Sequence, residues 1–164
     1  MLQRPISARA GHRPTTFLLV ALGTIVVSAL SACSGPVDLA TPTPAPTVRT
    51  VCRDLIAHTP DVVDGKKRRE IAHPSPYAAA WGDPAITLTC GVAKPTALNA
   101  ASECFEVNGV GWFSQQQANG YRFTTIGRKA YAQVMVPKKY VPSDPLVDLS
   151  KAISDHLPVV QPCV

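Results

Sequence analysis

The five cysteines are the residues whose spacing says most about the chemistry of this chain. Cys33 directly follows the small residues Ser31 and Ala32, and no C-x-x-C pair occurs anywhere. The spacing therefore excludes a thioredoxin-like redox site and a paired-cysteine zinc site. It indicates one cysteine with a separate role and an even set suited to disulfide bonds. The even set is Cys52, Cys90, Cys104 and Cys163.

The segment before Cys33 has the parts of an export signal. A leader with three arginines precedes an almost unbroken apolar run at residues 17–30, which fits a signal-peptide core. The run is shorter than the roughly 20 apolar residues that span a membrane. It ends in Leu30-Ser31-Ala32-Cys33, which resembles a bacterial lipobox, so we expect a diacylglyceryl thioether on Cys33 and cleavage before it. The alternatives are an ordinary secreted protein and an uncleaved anchor extending to Ala32.

The exported part is one domain in size and nearly neutral. Removing residues 1–32 from the 164 leaves 132, enough for one modest core. The formal charge of the whole chain is +5, but three of its sixteen basic residues lie in the leader, so thirteen remain against eleven acidic residues. This balance gives no reason to expect nucleic acid as a partner. We expect a signal peptide at 1–32, a lipidated cysteine with a Pro/Thr-rich tether at 33–50, and one domain at 51–164.

Two short helices are predicted, one at each end of the domain. The first starts at Thr50 as its N-cap and stops at Thr59-Pro60. The second starts at Pro145, with Ser143 or Asp144 as its cap. Each has an apolar stripe that must be buried against other elements. The stripes are Val51, Cys52, Leu55 and Ile56 in the first helix, and Leu146, Leu149, Ile153 and Leu157 in the second.

Between the helices, alternating residues and turn signals predict an antiparallel sheet of about four to six strands. The clearest signal is Asn108-Gly109, which suits the two positive-φ positions of a type I′ hairpin turn. With both helices on one face of the sheet, the predicted fold class is α+β. The expected strands are residues 86–90, the hairpin 104–107 and 110–113, and the hairpin 121–126 and 130–136, with a loop at 115–120 between the hairpins.

The even set of cysteines predicts two disulfides among three possible pairings. If the two helices lie side by side and antiparallel, the tail after the second helix returns to the start of the first. Cys163 would then bond Cys52, and Cys90 would meet Cys104 across the intervening loop. The alternative is that these cysteines are free buried thiols.

The one dense charge cluster is the basic run Lys66-Lys67-Arg68-Arg69, which follows the turn Asp64-Gly65. One interpretation is a solvated loop or edge strand. The other is contact with anionic lipid headgroups or acidic wall polymers, which a tethered domain would stay near. If Arg68 and Arg69 alternate on a strand, one of them points inward and serves the structure alone.

No catalytic, cofactor or metal-binding residue is nominated by the sequence. Neither Ser75 nor Ser114 lies in a G-x-S-x-G motif, and the histidines and acidic residues lack metal-ligand spacing. An aromatic set could line a groove for a glycan or peptide, although filling the core is the simpler interpretation. That set is Trp81, Trp112, Phe113, Tyr121 and Phe123.

Two functions of different classes follow from these observations. The first is a non-enzymatic accessory or binding module held on the outer face of the cytoplasmic membrane by a lipid on Cys33. The second is a small hydrolase or transferase acting on envelope polymers, with a site near His73, Asp83 and the basic run. The sequence does not indicate a protein partner.

Several blocks of the chain, taken in order, resemble domain-of-unknown-function family 3515, a family of small actinobacterial envelope lipoproteins. The resemblance covers roughly residues 51–157 and implies an exported lipoprotein, without a reaction, ligand or catalytic residue. The blocks are Asp64-Gly65-x-x-Arg68-Arg69, Ala79-Ala80-Trp81-Gly82-Asp83-Pro84, Leu88-x-Cys90-Gly91, Cys104-x-x-Val107-Asn108-Gly109-Val110-x-Trp112 and the turn from Thr124 to Arg128.

Overall fold

A computed structural model describes residues 35–162 as an eight-stranded sheet with two helices. All neighbouring strands are antiparallel, in the order β1-β2-β3-β4-β8-β7-β6-β5. The elements are α1 (Arg49–Ala57), β1 (Val62–Val63), β2 (Lys66–Arg69), β3 (Ala78–Trp81), β4 (Ile86–Val92), β5 (Phe105–Val107), β6 (Val110–Gln117), β7 (Gly120–Thr125), β8 (Tyr131–Pro137) and α2 (Asp144–His156). The predicted antiparallel sheet with two helices is confirmed. The strand count is higher than expected because β1, β2 and β3 are short, and β2 and β3 lack the polar alternation that marks a strand in sequence.

The core lies between the sheet and the two helices. The α1 residues Cys52, Leu55 and Ile56 are buried against β4, and α2 packs on β1, β5 and β6. Leu88 of β4 lies opposite Val134 of β8, and both are fully buried on this face, which we call the helix face. Within residues 35–162, no helix is long and apolar enough to cross a membrane.

The predicted hairpins form, but the loop expected at residues 115–120 does not. Asn108 and Gly109 adopt φ values of 50° and 75° between β5 and β6, as the turn signal predicted. Strand β6 continues to Gln117, which pairs with Gly120 at the start of β7. Three successive glutamines end this strand, so its sequence shows no alternation of apolar and polar residues. Backbone hydrogen bonds to β7 hold these residues in the strand.

Part of the segment expected to be a tether lies against the sheet. Val37 forms a parallel bridge with Ile71, and its N–H donates to the Glu70 carbonyl over 2.8 Å. At the other end Pro44 is buried, and the Arg49 side chain donates to its carbonyl over 3.1 Å. We call residues 37–44 the strap. It leads through a 3-10 turn at Pro46–Val48 into α1, so α1 begins at Arg49 and Thr50 is not its N-cap.

Gly91 is the position that lets the strap approach the sheet. Its φ is +84°, and a Cβ atom there would lie 2.5 Å from Cβ and Cγ of Pro44. The pairing of β4 with β8 shifts register between Cys90 and Val92, so a β-bulge carries this glycine. A side chain at Gly91 would therefore displace the strap or the bulge.

Both expected disulfide pairings are wrong, because Cys52 is bonded to Cys90. The α1 stripe places Cys52 on the helix face, and the alternation of β4 turns Cys90 toward it, with both residues fully buried. Cys104 directly precedes β5, which strands β8, β7 and β6 separate from β4 in the sheet. Cys104 is itself disulfide-bonded. Cys163 lies outside the described residues.

The helices also meet differently from the side-by-side antiparallel arrangement that motivated the Cys52–Cys163 pairing. His58 at the end of α1 stacks on His156 in the last turn of α2, with ring centroids 4.0 Å apart. Their C-terminal ends therefore come together. After Thr59-Pro60 the chain runs back along α2, where the Asp64 N–H donates to Asp148 Oδ2 over 2.7 Å.

An arginine guanidinium donates hydrogen bonds at each helix C-terminus, where backbone carbonyls lack intrahelical donors. Arg68 donates to the Ile56 carbonyl in the last turn of α1 over 3.3 Å, and to the Thr59 hydroxyl oxygen just beyond α1 over 2.8 Å. Arg128 donates to the Leu157 carbonyl over 2.9 Å, beyond α2, and to the Gly109 carbonyl over 2.9 Å. Burial lowers the pKa of Arg128, and the nearby Glu106 carboxylate opposes that change.

We predict that replacing Cys52 and Cys90 together by Ala lowers the free energy of unfolding by about 4 kcal/mol. The bond joins residues 38 apart in sequence, and opening that loop enlarges the unfolded ensemble. Urea unfolding measures the loss, and peptide mapping without reductant should recover Cys52 joined to Cys90. Recovery of Cys52 joined to any other cysteine would contradict the structure.

We also predict that Arg128→Met destabilises the fold by about 2 to 3 kcal/mol, because it leaves two inward-facing carbonyls without a donor. The matched control is Lys129→Met, which removes the same charge from an exposed neighbour and should change stability by less than about 0.5 kcal/mol. Thermal and urea unfolding of the two variants compare them directly. Equal effects would mean that the Arg128 contacts contribute nothing.

Candidate ligand-binding site

The face of the sheet opposite the helices carries two cross-strand rows of polar side chains, and we call it the strap face. Strand alternation places these residues there, because their immediate neighbours in each strand point into the core. The first row runs Gln115, Arg122, Met135, Thr87, Ala80 and Arg69, from β6 to β2. The second runs Phe113, Thr124, Gln133, Thr89 and Ala78, from β6 to β3.

The strap crosses this face and borders a cavity of about 520 Å³ that is open to solvent. That volume is in the range of small-molecule sites in proteins, about 300 to 1,000 Å³. We call it the strap cavity. Its walls are strap residues 39–43 on one side and Thr87, Thr89, Gly91, Val92, Ala93, Arg122, Gln133 and Met135 on the other.

The hydrogen-bonding groups of the strap cavity are largely unused by the protein. Within residues 35–162, the Arg122 side chain makes one hydrogen bond, from Nε to the weakly accepting Met135 Sδ over 3.5 Å. Gln133 Nε2 donates to the Thr124 hydroxyl oxygen over a long 3.4 Å. In the same part of the chain, the hydroxyls of Thr87 and Thr89 make no side-chain hydrogen bond. These groups are therefore available to a polar ligand.

Another cavity, of about 360 Å³, lies near Cys104 and Arg128, between the loop that precedes β5 and the turn that joins β7 to β8. Its most distinctive cation, Arg128, already donates to two carbonyls. Two of its polar residues, Asn99 and Ser102, form hydrogen bonds within the turn that contains them both. The groups around this cavity thus hold the chain together and leave less for a ligand than those of the strap cavity.

The basic run lies on β2, where alternation divides its side chains between the two faces. Arg68 lies over the Trp81 ring, 5.5 Å from its centroid, and hydrogen-bonds to the end of α1. This is the structural role that strand alternation predicted for one of the two arginines. Arg69 donates to the Gly82 carbonyl over 2.7 Å and to the Gly35 carbonyl.

The two lysines of the run also differ in their contacts with the protein. Lys66 donates to the Asp64 carbonyl over 2.6 Å and lies over the Tyr140 ring. Lys67 is exposed and has no side-chain partner within residues 35–162. The run is therefore a structural element with one freely solvated charge.

The structure does not bring the suggested enzymatic residues together. His73 lies in the loop between β2 and β3, and Asp83 lies in the turn between β3 and β4, at the two ends of β3. Most of the aromatic set fills the core: Trp81 and Trp112 are fully buried and Phe123 nearly so. Phe113 faces the other way, beside Thr124 on the strap face. Cys33, the predicted lipidation site, lies outside the described residues.

One arrangement escaped the sequence analysis because it depends on a long-range contact. The stacked pair of His58 and His156 joins residues far apart in the chain. Within residues 35–162, no group of three or more His, Cys, Asp or Glu side chains is placed to hold a metal ion. Arg122 could have been noticed from sequence, since Tyr121-Arg122-Phe123 alternates in a predicted strand and puts a charge on the face away from Phe123.

Comparison with known proteins places the chain in a family without assigning it a reaction. The profile of the family described as "Protein of unknown function (DUF3515)" matches residues 14–162. No curated protein and no solved structure matches the chain significantly. Because the profile covers most of the sequence, including every helix and strand described above, the chain belongs to the DUF3515 family.

Proposed function

We propose that this protein is a non-enzymatic binding module of the cell envelope, anchored to the outer face of the cytoplasmic membrane by a lipid on Cys33, and that it binds a small polar ligand in the strap cavity. The observation that carries the proposal is that cavity. Its size suits a small molecule, and its hydroxyl, amide and guanidinium groups use little of their hydrogen-bonding capacity on the protein.

The chemistry of the lining favours binding over catalysis. Threonine hydroxyls, a glutamine amide and an arginine can orient a ligand through hydrogen bonds. Hydrolysis of an envelope polymer would need a nucleophile together with a base, or a carboxylate pair, near the substrate. The described residues lining the strap cavity include no His, Cys, Asp or Glu.

The cysteine chemistry supports an oxidising compartment outside the cytoplasm. Cys52 is bonded to Cys90, and Cys104 is also in a disulfide. With one pair of the even set assigned, we propose that Cys104 pairs with Cys163 in the mature protein. Cys104 and Pro162 line the same cavity, and Pro162 directly precedes Cys163 in sequence. This proximity to Pro162 supports a bond between Cys104 and Cys163.

The strap makes the proposed anchor a short one. Gly35 accepts a hydrogen bond from Arg69, and Gly35 is two residues from Cys33, at most about 7 Å along an extended chain. A lipid on Cys33 would therefore hold the domain close to the headgroups, with β2 beside the point of attachment. Lys67, the solvated charge of the basic run, would then supply a weak supporting contact with anionic headgroups or wall polymers.

The anchor is tested with Cys33→Ala and the neighbouring control Ser34→Ala. Wild type and Ser34→Ala should enter the detergent phase and carry a diacylglyceryl mass on Cys33. Cys33→Ala should stay in the aqueous phase or accumulate as an unprocessed precursor. An unmodified mature wild-type protein in the aqueous phase would end the lipid-anchor proposal.

Ligand binding is tested with the full-length chain in a neutral detergent and soluble envelope fragments, using amide chemical shifts as the readout. We expect perturbations to cluster around the strap cavity and to disappear in Gln133→Trp, which fills it. The control is Gln116→Trp, which places the same side chain at an exposed position on the helix face. Perturbations that avoid the cavity would refute this site, and new reaction products would favour the hydrolase or transferase instead.

A further inference from the structure

We infer that the strap cavity recognises an anionic group, a carboxylate or a phosphate, through the guanidinium of Arg122; this inference rests on the proposed binding function. The argument begins with charge. Arg122 is the one charged residue among the described residues that line the cavity, and it is partly buried in mid-strand on β7. A partly desolvated cation without a counter-ion is unfavourable, so the cavity attracts an anion.

The geometry of Arg122 adds a second reason. A guanidinium presents five N–H donors in a planar fork that matches the two oxygens of a carboxylate or phosphate. Within residues 35–162 the side chain uses one of these donors, Nε, on the Met135 thioether. That contact holds the stem beside β8 and leaves the terminal nitrogens for a ligand.

The neighbours of Arg122 indicate what surrounds the anionic group. On one side, the Gln133 side chain lines the cavity, and its amide makes one long hydrogen bond, of 3.4 Å, to the Thr124 hydroxyl oxygen. On the other side, the hydroxyls of Thr87 and Thr89 can each donate and accept. A ligand that bears hydroxyl or N–H donors beside its anionic group could hydrogen-bond to the Gln133 amide oxygen and to these hydroxyls. Sugar acids and glycerophosphate groups have this chemistry.

The test measures binding of three probes to the full-length chain in neutral detergent: glucuronate, glycerol 3-phosphate and the uncharged control glucose. We expect the anionic probes to bind and glucose to bind at least about tenfold more weakly, because charge-assisted hydrogen bonds are the stronger kind. Tighter binding of glucuronate would identify a sugar-acid polymer as the source, and tighter binding of glycerol 3-phosphate a phosphodiester headgroup or polymer.

Two substitutions separate the role of Arg122 from a general effect of charge. Arg122→Gln should weaken binding of the anionic probes about tenfold or more, and Arg122→Lys should recover only part of it because the fork is lost. The control Arg53→Gln removes the same charge from the exposed side of α1 and should change nothing. Unfolding temperatures of all variants confirm that each is folded.

The outcomes distinguish this inference from the proposed function beneath it. If glucose or other neutral fragments bind in the cavity as well as the anions do, or if Arg122→Gln binds the anions unchanged, anion recognition is wrong and the binding module stands. If neither anionic probe binds while neutral envelope fragments do, the same conclusion follows. If nothing binds in the strap cavity, both are overturned.

Discussion

The packing of α1 against β4, with the Cys52–Cys90 bond at its centre, is the constraint on which the rest of the structure depends. A helix of nine residues is too short to be stable alone, so its buried stripe must be held by the sheet. Once α1 occupies this face, α2 joins it there and the two C-terminal ends meet at the stacked histidines. The opposite face of the sheet is then left to the strap.

The candidate site is a consequence of that division. Polar residues on the second face of an antiparallel sheet ordinarily point into water. Here the strap lies over part of that face and forms one wall of the open cavity that Arg122 lines. The cover depends on Gly91, because no side chain fits between β4 and Pro44. Gly91 thus allows the strap to lie beside the sheet and form a wall of the site.

Alternation along β2 explains how the most conspicuous charge cluster in the sequence makes contacts within the protein. Successive side chains point to opposite faces, so Arg68 reaches the end of α1 while Arg69 reaches Gly82 and Gly35. Desolvated carbonyls at helix ends and turns are strong acceptors, and arginine satisfies several of them at once. The buried Arg128 does the same at the end of α2. Arg68, Arg69 and Arg128 therefore donate to carbonyls of the protein, whereas among residues 35–162 Arg122 makes one side-chain hydrogen bond, to the Met135 thioether.

Local chemistry in the sequence determined the two helices, the Asn108-Gly109 hairpin and the alternating strand at β4, because helix stripes and turn residues act over a few neighbours. The tertiary structure alone decided the partner of Cys52, the contact of the strap with the sheet, and the lack of a counter-ion for Arg122 among residues 35–162. These features depend on strand order and on which face each element covers. Both are set by packing between residues distant in sequence, which no local pattern encodes.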